Sequence, residues 1–376
     1  MAIARVAPPT LQVMLHDGEE LALLDVREAG EFGASHLLFA TPLPYSRLEA
    51  DVFRLIPRRN VRIVLCDAGD ADVAPRAAER LLVCGYTDVS VLDGGTRSWA
   101  DAGYGLFAGV NVPSKLFGEL VEHEYGTPRI SARDLLDMKA RGEPFLLLDG
   151  RPLDEHHRMT IPGSTCCPNA ELPYRFASMV RDPQAKIVVN CAGRTRSILG
   201  AQTLINFGVP NPVYALENGT QGWRLADLDL EYGSSRKYPD TLDEAALPAQ
   251  QAAARALLAR FSIEMASVPM VEEWLRNAHR TTYVCDIRTP EEFAAGSLPG
   301  AVHAPGGQLV QATDQWIGVR NSRIVLADSG EHVRAPVIAS WLMQLGYDAW
   351  VLEGGVQSGL VVPPSHPPAL PEVATI

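Results

Sequence analysis

The sequence predicts an α/β protein of three tandem domains, each a parallel sheet with helices on both faces. Three observations predict it. A strand-like apolar run ending in Asp-x-Arg occurs three times in 376 residues. Each copy is followed by the same ordered series: a second apolar run, a loop, an Ala/Leu-rich helix and a last strand entering a glycine turn. The runs are short and almost wholly apolar, as strands buried on both faces and alternating with helices should be.

Taken in order, the first run reads Leu23-Leu24-Asp25-Val26-Arg27, then Leu147-Leu148-Asp149-Gly150-Arg151, then Val284-Cys285-Asp286-Ile287-Arg288. A short acidic helical pattern follows, as in Glu28 to Phe32 and Pro290 to Phe293. Pro-Gly turns come next in the second and third copies, at Pro162-Gly163 and Pro299-Gly300. The second strand runs through Arg62–Cys66, Lys186–Cys191 and Arg323–Ala327. The helices after it stop at Gly85, Gly208 and Gly346, and the last strands enter turns at Gly94-Gly95, Asn218-Gly219 and Gly354-Gly355. The expected domains are 1–108, 129–233 and 267–361, each of ordinary domain size. Linkers fall at 109–128, with a helix starting near Pro113-Ser114, and at 234–266, with a helix over Ala245 to Phe261. The tail 362–376 is Pro-rich and predicts an extended or disordered segment. The third copy has no tryptophan after Gly355, which puts its last helix in question.

Composition narrows the function. Hydrophobic residues are 47%, charged residues 21% and the formal net charge is −12. That balance argues against a nucleic-acid or anionic-membrane binder, and an anionic substrate would need a local cationic pocket. The six cysteines form no CxxC pair and no zinc spacing, so neither a metal nor a disulfide framework is expected. No apolar run has the length of a signal peptide or a membrane span, and a cytoplasmic protein is expected.

The ordered set of motifs resembles the rhodanese family over nearly the whole chain. The carriers are the Leu-Leu-Asp-x-Arg strand, the Pro-Gly-Ser/Ala turn, the strand-Cys-loop-helix unit and the closing Gly turn, with Trp99 or Trp223 after it. The middle copy, with Cys191-Ala-Gly-Arg-Thr-Arg-Ser197 and Leu216-Glu-Asn-Gly-Thr-Gln-Gly-Trp223, looks like the active repeat of bacterial tandem-rhodanese sulfurtransferases. The resemblance implies double displacement. The cysteine takes a sulfane sulfur as a persulfide and a second nucleophile, cyanide or a thiol, removes it. It implies no metal and no organic cofactor. A protein acceptor is compatible with it, and no nucleic acid or membrane partner is expected.

The residues point the same way. Cys191 stands at the carboxyl end of a buried parallel strand, the edge where open α/β sheets bind ligands. The loop Ala192, Gly193, Arg194, Thr195, Arg196 leads to a helix expected near Ser197, and its N–H groups can form an anion nest backed by the helix terminus. A cysteine there is expected to react as thiolate. Arg194 and Arg196 oppose the helix dipole, a local violation of the kind found at functional sites. Arg matches oxyanions, so a thiolate and an oxyanion are expected together, as thiosulfate attack requires. Cys191 is the expected nucleophile, and Ala192 to Ser197 the expected substrate contacts. Cysteine-based phosphatases and arsenate reductases use five residues between Cys and Arg, whereas four separate Cys191 from Arg196. A non-catalytic scaffold that recruits a partner through the outer repeats is the other alternative.

By this alignment Cys66 and Ala327 take the place of Cys191. The loop after Cys66 carries Asp67, Asp70 and Asp72 and no arginine, so the first repeat is expected to be inactive, and the third lacks a nucleophile. Both outer loops are read as two residues longer than the middle one. Cys84, Cys166, Cys167 and Cys285 read as packing residues, with a resolving thiol the alternative for Cys166 or Cys167. His156 and His157 read as solvated surface. Asp149 and Arg151 recur even in the repeat without a nucleophile, which favours a structural ion pair beneath the loop. Gly219 and Trp223 are expected to wall the pocket.

Overall fold

The computed structural model describes residues 3–70, 72–180 and 182–364. Most of the Pro-rich tail, from residue 365, lies outside the described residues. The first sheet contains β1 (Ala4–Val6), β2 (Ala22–Asp25), β3 (Thr41–Pro42), β4 (Ile63–Cys66) and β5 (Val89–Leu92), in the order β1-β5-β4-β2-β3. The second holds β6 (Arg129–Ile130), β7 (Phe145–Asp149), β8 (Thr165–Cys166), β9 (Lys186–Asn190) and β10 (Val213–Leu216), in the equivalent order. The third repeats it with β11 (Met265–Ala266), β12 (Thr282–Asp286), β13 (Val302–His303), β14 (Arg323–Ala327) and β15 (Asp348–Leu352). All pairings within these sheets are parallel. The expected α/β class and its three parallel sheets are therefore present. The edge strands are short, two or three residues, while β2, β4, β5 and β14 are buried at every position.

Between the sheets run the helices Val112–Tyr125 and Leu247–Arg260, close to the two helices expected there. β11 lies within the segment expected as the second linker yet pairs with β15 of the third sheet. In place of a last helix, the described residues of the third repeat have the short 3-10 turn Gly355–Gln357, whereas the first and second carry Gly95–Asp101 and Gly219–Leu225, each with its buried tryptophan.

Strand register corrects the alignment of the three loops. Asp25 pairs with Cys66, Asp149 with Asn190 and Asp286 with Ala327. Cys66 and Ala327 therefore match Asn190, one residue before Cys191. The residues that match Cys191 are Asp67 and Asp328. The closing turns agree: Thr96, Thr220 and Val356 donate their N–H at 2.8 Å to the carbonyls of Asp67, Cys191 and Asp328. A one-residue slip in a strand turns the side chain to the other face. Cys66 accordingly points into an apolar cluster with Leu11, Leu23, Phe32 and Trp99. Registered on the turns that end the helices, where Tyr86, Val209 and Tyr347 donate to Leu81, Leu204 and Leu342, the outer loops are one residue longer than the middle one, not two.

One large apolar cluster runs through all three repeats, so they are packed against one another rather than strung out. Tyr283 donates its hydroxyl to the Leu55 carbonyl at 2.5 Å, and Ser114 to the Gln311 carbonyl at 2.6 Å. Among the described residues, no helix is long and apolar enough to cross a membrane.

Candidate active site

Cys191 follows β9 and is only 2% exposed. The helix after it starts at Thr195, two residues before the expected start, leaving a loop of three residues, Ala192 to Arg194. Close packing fixes this loop from two sides. A Cβ on Gly219, whose φ is +49°, would lie 2.1 Å from the Cys191 carbonyl oxygen, so only glycine fits there. Gln221 N–H donates to the Ala192 carbonyl at 3.0 Å, and the Thr220 hydroxyl to the same atom at 3.2 Å. On the other side the helix Val112–Tyr125 comes so near that a Cβ on Gly118 would lie 3.0 Å from the Thr195 methyl.

The Ser197 hydroxyl donates to the Cys191 sulfur at 3.2 Å. Among the described residues, the backbone N–H groups of Ala192, Gly193, Arg194, Thr195, Arg196 and Ser197 donate to no protein acceptor outside the helix. The outer repeats treat the same position differently. Asp67 accepts the N–H groups of Gly69 and Ala74 at 2.8 and 2.9 Å. Asp328 accepts those of Ser329, Arg334 and Ala335 at 2.7 to 3.1 Å. In both, a carboxylate of the chain accepts the N–H groups of the loop, a place that the thiol side chain of Cys191 takes in the middle repeat.

The two arginines are not free cations. Arg194 is held by Glu119 at 2.7 Å and by Glu122, both on the helix Val112–Tyr125. Arg196 makes two parallel bonds to Glu155, at 2.7 and 2.8 Å, and a third contact to Gln308 of the third repeat at 3.3 Å. Burial works against the Arg196 charge, but Glu155 and the nearby Cys191 hold the guanidinium above its usual pKa. These carboxylates lie far from the loop in sequence, and nothing in its pattern announces them. They are the site residues that sequence reasoning missed, together with Gln308.

Beneath the loop the Asp-x-Arg motif is structural in all three repeats. Arg27, Arg151 and Arg288 each reach their aspartate at 2.6 Å and a backbone carbonyl, of Ser35, Met159 or Gly296, at 2.6 to 2.7 Å. Burial pushes the Asp149 carboxyl up, but bonds from Arg151, His156 and Thr160 overcome it and hold it well below the usual range. His156 is a correction. It is fully buried, with ring nitrogens 3.2 Å from Asp149 and from Ser234, because its helix turns it under the strand end; His157 is exposed as expected. The other cysteines are buried. Burial and Asp149 raise the Cys166 thiol to about 12, and burial lifts Cys66, Cys84, Cys167 and Cys285 as well. A cavity of about 590 Å³ opens beside the site, between the strand ends of the second and third sheets. Gly150, Cys166 and Gln308 line it and Cys191 does not.

The model of the rhodanese-like domain family matches residues 7–102, 131–226 and 270–359. The chain belongs to the rhodanese family. The expected resemblance is borne out in all three copies. A crystal structure of a thiosulfate sulfurtransferase from Pseudomonas aeruginosa is 44% identical, with a TM-score of 0.94, over 100% of this chain and 71% of that one. Curated relatives match one rhodanese repeat's length. An uncharacterised protein of Synechocystis is 28% identical over 31% of this chain and 62% of its own length. A helix-turn-helix-type transcriptional regulator of Mycobacterium tuberculosis is 32% identical over 29% of this chain and 48% of its own. The chain thus spans less than two thirds of either curated relative.

Proposed function

We propose that this rhodanese is a sulfurtransferase that takes the sulfane sulfur of thiosulfate onto Cys191 and passes it to a thiophilic acceptor, cyanide or a thiol. The observation that carries the reading is the nest at Cys191, with its N–H groups unspent where Asp67 and Asp328 fill the outer two. The full-length likeness to the Pseudomonas thiosulfate sulfurtransferase supports it and favours neither a phosphatase nor a scaffold.

In the first step the Cys191 thiolate attacks the outer sulfur of thiosulfate. The sulfur–sulfur bond of thiosulfate breaks and sulfite leaves with its electron pair. The new persulfide anion is the charge that the N–H groups of Ala192 to Ser197 and the Arg196 guanidinium stabilise. In the second step the acceptor attacks the outer sulfur and Cys191 departs as thiolate. No oxidant is consumed. With Arg194 held by two carboxylates, the donor's oxyanion end falls to the backbone donors and to Arg196, which among the described residues has one.

Intact mass and peptide mapping after exposure to thiosulfate test this. The Cys191 peptide should gain about 32 Da, one sulfur, since the thiolate is the nucleophile. An unmodified Cys191, or an adduct mainly on Cys66, would sink the assignment.

A further inference from the structure

The second and third repeats face each other by an approximate two-fold relation. Thr203 and Trp341 are equivalent residues of the two long helices, as the turns at Val209 and Tyr347 register them, and they touch each other: the indole N–H donates to the Thr203 hydroxyl at 2.8 Å. The same register makes Arg196 the counterpart of Arg334. Strand pairing makes Glu155 the counterpart of Glu292, and Glu171 that of Gln308. The contacts are reciprocal, as an isologous interface requires. Each arginine binds its own repeat's glutamate with both terminal nitrogens, Arg196 to Glu155 and Arg334 to Glu292. Each also crosses to the other repeat, Arg196 to Gln308 and Arg334 to Glu171.

The two seats differ in charge. Arg334 is wholly buried among three carboxylates, Asp328 at 2.8 Å, Glu171 at 2.8 Å and Glu292 at 2.6 Å. Among the described residues Arg196 has one, Glu155. Two substitutions account for the difference: Cys191 stands where Asp328 does, and Gln308 stands where Glu171 does. A largely buried guanidinium with a single carboxylate and a neutral amide has charge left for an anion at the position of its missing aspartate.

We propose that the third repeat, though it lacks a nucleophile, is part of the sulfur-transfer site, and that the neutral Gln308 is a positioning residue that keeps the Arg196 charge available to the anion carried on Cys191. This rests on the reading of Cys191 as the sulfur carrier. A glutamate in place of Gln308 would complete around Arg196 the pairing seen at Arg334 and withdraw the guanidinium from the persulfide.

The test is charge placement in the full-length protein. Gln308→Glu should raise the thiosulfate KM about tenfold, with a smaller change in kcat, and slow iodoacetamide alkylation of Cys191 at neutral pH several-fold. Adding Glu155→Gln to it returns Arg196 to one carboxylate and should restore both readings to within about threefold of wild type. The mirror-image seat already holds Glu171, so Gln308→Glu is expected to fold; if its thermal melt shows otherwise, Gln308→Asp carries the same charge and the same expectation. A folded variant with wild-type KM and alkylation rate, or a double variant no better than Gln308→Glu, overturns the proposal. If instead wild-type Cys191 takes no sulfur from thiosulfate, the donor assignment fails, and the alkylation contrast alone decides the role of Gln308.

Discussion

At the scale of single residues, one register step separates the proposed nucleophile, Cys191, from the packed Cys66. Cys191 follows its strand and enters the loop, whereas Cys66 is the last residue of its strand and packs under Trp99. Cys191→Ser should therefore abolish sulfur transfer from thiosulfate to cyanide. Cys66→Ser should keep most of that activity while losing about 1–3 kcal/mol of stability, because it buries a hydroxyl in an apolar cluster. Steady-state rates and urea melts on both variants check the contrast; equal loss of activity would show that the first repeat takes part. Gly219 is a second sensitive position. An alanine there would drive its methyl into the Cys191 carbonyl, so Gly219→Ala should cut sulfur loading of Cys191 by about tenfold or more, read by mass, through displacement of the loop.

At the scale of elements, the strand–loop–helix unit is common to the repeats, and its charge pattern differs between them. In the third repeat the loop is closed internally, Asp328 capping the helix start and Arg334 tying Asp328 to Glu292. Glu292 belongs to the helix Pro290–Ala295, whose start is secured by a capping box with Thr289. Burial raises its carboxyl, but the bonds and charge of Arg334 and the Thr289 N–H prevail and lower it to about 2. A carboxyl depressed in the folded state gives its full stabilisation above its ordinary value near 4.5 and loses it as pH falls toward 2. The carboxylate is partly exposed, so solvent screening brings its contribution well below the roughly 3 kcal/mol that the shift alone would give. Glu292→Gln should therefore lower the melting temperature at pH 7 and flatten its fall between about pH 4.5 and 2. An unchanged acid profile would mean that the Arg334 cluster does not hold the third repeat's loop.

At the scale of the whole molecule, the repeats share a core. Trp341 is 3% exposed, meets Phe117 edge-on with centroids 5.9 Å apart, and bonds Thr203 of the second repeat. It joins three pieces of chain: the first linker helix, the helix that follows Cys191 and the third repeat. Trp341→Ala should cost about 3–5 kcal/mol, as large buried aromatics do, measured by urea unfolding. The loss should appear in the unfolding of the second and third repeats together, because one apolar cluster spans both. Separate transitions with only the third repeat shifted would contradict a shared core.

The sequence by itself determined the three α/β repeats, the family resemblance and the loop at Cys191. These are written in local patterns: apolar runs of strand length, glycines at turns, and a cysteine with its loop on contiguous residues. It determined less at the loop's edges. Strand ends look alike when moved by one residue, so the sequence pattern matches Cys66 to Cys191 although pairing across the sheet assigns that place to Asp67. His156 reads as surface because its helix is short and polar, and only tertiary packing shows it buried against Asp149. The tertiary structure alone decided the company of the arginines. Glu119, Glu122, Glu155 and Gln308 come from other elements, one of them from another repeat, and a charge reads as a free cation in sequence until the fold brings its counter-charge to within 3 Å.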